Sequence, residues 1–482
     1  MKRPLLFIFL ALPFFTLSQI CTCKTNFDWV KATFEENDAG FSHVIEKKGA
    51  QAYKNHNVIF NEKAKHISDD LDCQKLLNQW LAFFRSGHLG VQKLNPQPTS
   101  DISEQDKDEE IIRRYGNSEK IMVDLQEFTD YLEAKEKIDY EGIWTSSLYK
   151  IGIKKINNIY MGFIIEADGV YWTKGQIKLK IHPDKASTYY MRDHSARTFA
   201  DTELLGNNYI QIGFITLKRV TPQIDDDVKF ERYFKMISST YPYFETLDST
   251  TNYLRIPSFR ISNRKVIDSL VLANKALILK TPNLIIDLRN NGGGSDASFS
   301  ELLPLLYTNP IRTVGMEYYS TPLNNTRMLD FINDPKYGFD DEGKRWAKAS
   351  FKKLSKHLDQ FVNVDSTRVE ITTYDEVHQY PKNIGIIINE NNGSTAEQFL
   401  LAAKQSKKVK LFGTTTSGVL DISNMYFTKS PCKDFELGYS LSRSLRIPEM
   451  TIDDKGIQPD HYLDNTIPKY EWTDFVRKIL QE

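Results

Sequence analysis

Four cysteines in 482 residues are too few for a disulfide-built scaffold, so this fold has to rest on a hydrophobic core. Cys21, Cys23, Cys73 and Cys432 leave room for one or two bridges in an oxidising compartment, and their pairing stays open. They do not make a zinc knuckle either. Cys21-Thr22-Cys23 has no Cys or His pair downstream at ligand spacing, so neither a metal nor a cofactor is expected. Neither sign of charge is in excess. A net charge of −1 gives no footing for nucleic acid or for an acidic partner. After residues 5–17 no further long apolar run occurs, which removes a second membrane span. No internal repeat is visible.

What is present fits a large, well-packed protein of two to four domains. Aromatic residues make up 12% of the chain. The first 18 residues read as a signal peptide: Lys2 and Arg3, a short apolar run, then Thr16-Leu17-Ser18 with small residues where a signal peptidase reads. Cleavage before Gln19 predicts an exported protein, periplasmic or secreted, with no stable membrane span afterwards. Ser18-Gln19-Ile20 before Cys21 is a poor lipoprotein box.

Residues 19–94 read as a helical domain. In 73–85 the apolar residues Leu76, Leu77, Trp80, Leu81 and Phe84 form a helical stripe that Ser86-Gly87 is expected to end, with His88 next. Residues 95–138 read as a charged linker, to about Glu110, followed by a helix. From 139 to 222 short alternating runs predict an antiparallel β domain, a small barrel or sandwich, with its Trp and Tyr residues as core. From 223 to 482 strands and helices alternate, which predicts an α/β core with a helical insertion at about 318–374.

Two segments a hundred residues apart carry the chemistry. Asn283-Leu284-Ile285-Ile286-Asp287-Leu288-Arg289-Asn290-Asn291-Gly292-Gly293-Gly294 is a buried-strand run that ends in glycines. Backbone N–H groups in such a turn can hold an oxyanion, because no Cβ blocks close approach. Ile384-Gly385-Ile386-Ile387-Ile388-Asn389-Glu390-Asn391-Asn392-Gly393-Ser394-Thr395-Ala396-Glu397 is a second such strand, and Ser394 falls on its strand-to-helix turn, where a nucleophile belongs.

Together with Leu411-Phe412-Gly413-Thr414-Thr415-Thr416-Ser417-Gly418, these runs resemble the C-terminal processing (tail-specific) and tricorn-type serine peptidases. The resemblance implies an α/β core of the crotonase/Clp-peptidase type, an N-terminal helical domain and an inserted all-β domain. In Ser/Lys members a Lys follows the Gly after the Thr-rich turn. Val419 stands there and cannot accept a proton. The tricorn style uses a His from the helical domain and a late acidic residue. Ser86-Gly87-His88 and Thr451-Ile452-Asp453-Asp454-Lys455-Gly456 match those places.

The resemblance therefore implies Ser394 as nucleophile, His88 as base and Asp453 as the group that orients it. Gly293, or a neighbour in the run with Gly292 and Gly294, and Thr395 would supply the oxyanion donors. Ser86 would tune His88. Asp287 and Arg289 would brace the turn. The expected partner is a polypeptide substrate. The β segment at 139–222 lacks the Gly-Leu-Gly-Phe type loop of a PDZ module, so capture of free C-termini is not implied. The second reading is an inactive member that binds an apolar ligand or peptide. Cleavage specificity and oligomeric state have no signature in the sequence.

Overall fold

The computed structural model describes residues 21–94, 104–146 and 148–482. The expected signal peptide, its cut before Gln19 and residues 95–103 of the linker lie outside them. The described chain has a helical N-terminal region and several many-stranded sheets. It divides into two compact units, each built from separated segments rather than from consecutive stretches.

The first unit comprises described residues within 1–96, 312–372 and 418–456. Helices Cys23–Asn37, Ala50–Ala64 and Asp70–Leu81 bury Phe27, Phe34, Leu77 and Trp80 in one core. The Asp69 carboxylate starts the last of these helices by accepting from the Asp72 N–H at 3.0 Å. That core continues onto Phe435, Leu437, Tyr439 and Leu441. Burying each such side chain contributes about 1.5–3 kcal/mol, so strand Phe435–Ser444 is held firmly against the helices. It pairs with Ile422–Lys429 on one side and with Gly90–Lys93 and Met316–Tyr319 on the other. The insertion adds helices Pro322–Asn333 and Asp341–Leu354.

All four cysteines are bridged in this unit, Cys21 to Cys432 and Cys23 to Cys73. Helix Asp70–Leu81 ends before the expected Ser86-Gly87 stop, so Gly87 is not its terminator. A Cβ on Gly87 would lie 2.5 Å from Val419 Cγ1, and close packing is the reason for glycine there.

The second unit comprises described residues within 97–311, 373–417 and 457–482. Its six-stranded sheet runs Tyr243–Asp248, Thr251–Arg255, Asn283–Asp287, Asn383–Ile388, Val409–Gly413, His461–Tyr462. The first pair is antiparallel and the others are parallel. The two β-branched runs read from the sequence are its neighbouring central strands, buried throughout apart from Asn383. Asp460 joins the sheet by accepting from the Leu411 N–H at 2.8 Å.

The β-rich segment forms one nine-stranded antiparallel sheet with two ends, rather than a closed barrel or a sandwich. Trp144 and Trp172 are core residues of one face. The other face packs Ile143, Phe163 and Ile177 against helix Leu125–Glu133. Part of the expected linker is instead helix Glu104–Tyr115.

Candidate active site

In the second unit the two motif turns are bound together by asparagines. Asn392, fully buried, donates from Nδ2 to the Leu288 carbonyl at 2.5 Å and to the Asn291 carbonyl at 3.1 Å. Asn389 accepts from the Asn290 N–H at 2.9 Å and donates to Asn290 Oδ1 at 2.8 Å. These side chains replace the ladder bonds that the backbone loses where it leaves the sheet. Beneath them Asp287 accepts from Arg289 and, at 2.8 Å, from Tyr253 Oη. Burial alone would raise the Asp287 carboxyl, but Arg289 and Arg255 hold it below its usual range.

Ser394 sits on the turn into helix Thr395–Ala403 with φ 56° and ψ −125°. A non-glycine residue is strained there, and such strain persists where its surroundings over-determine it. Two of those surroundings are Glu397 and Thr416. The Ser394 N–H donates to Glu397 Oε2 at 3.2 Å, and Thr416 Oγ donates to Glu397 Oε1 at 2.5 Å. The Ile457 N–H in turn donates to Thr416 Oγ at 2.7 Å. Glu397 and Thr416 lie within the motif runs but carry no role in the sequence reading; an acid three residues after a turn serine is the available signal.

Gly293, at φ 99°, lies directly against the serine turn. A Cβ there would sit 2.7 Å from the Gly393 carbonyl oxygen, 2.8 Å from the Thr395 nitrogen and 2.9 Å from Ser394 Cβ. A Cβ on Gly294 would strike the Phe259 backbone at 2.2 Å, whereas Gly292 faces open space. The Gly293 N–H donates to Asn291 Oδ1 at 2.9 Å and is therefore engaged. The N–H groups of Gly294 and Thr395 have no protein acceptor among the described residues.

In the first unit His88 has φ 55°. Its Nδ1 lies 2.9 Å from the Ile422 carbonyl oxygen. A carbonyl only accepts, so Nδ1 carries the proton and Nε2 is the lone-pair nitrogen of the neutral ring. Burial, with Arg85 adding to it, pulls the imidazole pKa below 6.5 against the Ile422 bond. The His88 carbonyl is held by Arg85 Nη2 and Ser440 Oγ, each at 3.0 Å. Arg85 is clamped by a buried two-pronged pair with Asp38, at 2.8 and 2.6 Å. Asp38 and Arg85 carried no motif signal.

Asp453 makes no hydrogen bond to His88. Its carboxylate accepts from the N–H groups of Leu420 and Asp421 at 2.6 Å and of Ile422 at 3.1 Å. The expected direct orientation of the imidazole is thus replaced by a relay: Asp453 holds the peptide turn whose carbonyl holds His88. Burial, helped by the Asp421 charge, raises the Asp453 pKa to about 6. Asp421 returns the arrangement by accepting from the N–H groups of Ile452 and Asp453 at 2.6 and 3.0 Å. Ser86 is exposed and has no hydrogen bond to His88, so the expected tuning by its hydroxyl is not made.

Residues 250–463 match the profile of Peptidase family S41. Among solved structures, mature CPAF is 13% identical, with 95% of this chain and 96% of that chain covered at a TM-score of 0.52. Mature CPAF complexed with lactacystin is 12% identical, with 95% and 97% covered at 0.52. The photosystem II D1 C-terminal processing protease is 11% identical, with 96% and 98% covered at 0.38. No curated protein matches the sequence.

The chain is a serine-type peptidase. Its motif-bearing region, residues 250–463, is similar to Peptidase family S41.

Proposed function

We propose that this protein is an exported serine endopeptidase that hydrolyses polypeptides with Ser394 as nucleophile and His88 as general base. The observation that carries the reading is the strained Ser394 turn pressed against Gly293, with the Thr395 N–H beside both. Ser394 Oγ attacks the scissile carbonyl and its proton passes to His88 Nε2. The oxyanion is held by the N–H groups of Thr395 and of the glycine run, with Gly294 supplying the donor that Gly293 spends on Asn291. The start of helix Thr395–Ala403 adds favourable dipole. His88 then protonates the leaving amine, and water releases the acyl group by the reverse route.

Asp453 is a positioning residue that acts through the Ile422 peptide. The core is of the crotonase/Clp-peptidase type, and the nine-stranded sheet stands where relatives carry a PDZ module. Two disulfides support export, since such bridges persist in oxidising compartments.

A fluorophosphonate probe tests the reading. It should label Ser394 in the wild type, and labelling should vanish in Ser394→Ala and fall by roughly a thousandfold or more in His88→Ala. Labelling of His88→Ala at the wild-type rate would remove His88 from the mechanism.

A further inference from the structure

Beside the glycine run, within the second unit, lies a cavity of about 640 Å³ lined by Arg255, Arg260, Ser258, Asn263, Gly292 and Gly293, among others. Among the described residues that line it there is no Asp or Glu. Arg255 is 2% exposed, yet only part of its guanidinium is satisfied. Nε and Nη1 reach the Met236 and Asp287 carbonyls at 3.4 and 3.0 Å, and Nη2 has no hydrogen-bond partner among the described residues. Asp287 stands 3.7 Å from Arg255, but its carboxylate is already taken closely by Arg289. Two buried guanidiniums thus share one carboxylate and leave net positive charge under the cavity.

Arg260 is exposed, and its side chain has no ion-pair partner or hydrogen bond among the described residues. It also precedes the 18-residue helix Ile261–Ile278, so the positive end of that helix opens at the same place, with Asn263 in its first turn.

We propose that this cavity is a carboxylate-binding subsite that selects polypeptides carrying a carboxylate next to the scissile bond. The proposal rests on the peptidase reading above and deepens it. Arg260 supplies a two-pronged donor at the mouth, Arg255 Nη2 a donor at the floor, and the helix start the field. The carboxylate comes either from an Asp or Glu side chain or from a free chain terminus, since both present the same group.

The test digests one peptide mixture twice, as free acids and as C-terminal amides, with wild type, Arg260→Gln and Arg260→Lys, and maps the cuts by mass spectrometry. The Arg260 side chain makes no bond among the described residues, so both variants retain the fold. Enrichment of Asp or Glu by about 10-fold at one fixed position, lost in Arg260→Gln and partly kept in Arg260→Lys, is the expected result for a side-chain source. Cuts at a fixed distance from the terminus that vanish on amidation, with the same dependence on residue 260, identify the terminal carboxylate. Neither pattern, in a protein whose Ser394 takes the fluorophosphonate probe, overturns the subsite and leaves the peptidase reading standing. Failure of Ser394 to label overturns both.

Discussion

The imidazole of His88 and the carboxylate of Asp453 communicate through the Leu420–Ile422 backbone. Three N–H groups feed one carboxylate, and the third belongs to the residue whose carbonyl fixes the ring tautomer. Asp453→Ala should therefore lower kcat by about 100-fold, the cost of a base displaced by a fraction of an ångström to an ångström. KM should change little, because in the proposed mechanism Asp453 acts only through the Leu420–Ile422 backbone that its carboxylate holds. Steady-state kinetics separate the two, and a variant that loses KM alone would contradict the relay. Acid sensitivity follows from the same pair. In the proposed mechanism both groups act deprotonated; burial places His88 below 6.5 and Asp453 at about 6. Activity should rise with pH and level off near neutrality, with the acid limb of kcat/KM centred at about 6. A midpoint above 6.5 would contradict the burial of the base.

Elements fix where these residues stand. Strands Asn283–Asp287 and Asn383–Ile388 form at the two expected runs, because buried parallel strands are unbroken β-branched stretches. The Ser394 turn was legible for the same reason: a strand ends in Asn and Gly, and a helix follows. The turn at Gly87 was not. Its partner Val419 comes from more than 300 residues away, and local periodicity carries no record of that contact. In Gly87→Ala the new methyl group should meet Val419 Cγ1 at 2.5 Å. Chemical denaturation should show a loss of about 1–3 kcal/mol. Val419→Ala in the same chain should recover part of it, and a double-mutant cycle should give a coupling of at least about 0.5 kcal/mol. Additive effects would mean that the two side chains do not compete for space.

At the scale of the molecule, each unit gathers distant segments. Cys21–Cys432 spans 411 residues and Cys23–Cys73 spans 50. The sequence left that pairing open because spacing alone does not reveal which parts of the chain share a core. Replacing Cys23 and Cys73 by Ala should destabilise the unit that carries His88 by about 2–4 kcal/mol, read as a shift of its denaturant midpoint under oxidising conditions. An unchanged midpoint would show that the core around Trp80 holds without the bridge. In the proposed mechanism the same assembly also governs when the protein can become active. The ribosome releases His88 early, but the peptide turn that aims it and the carboxylate that steadies that turn emerge more than 300 residues later. In the proposed mechanism a nascent chain therefore carries its base unaimed until both have emerged, and proteolysis waits for them.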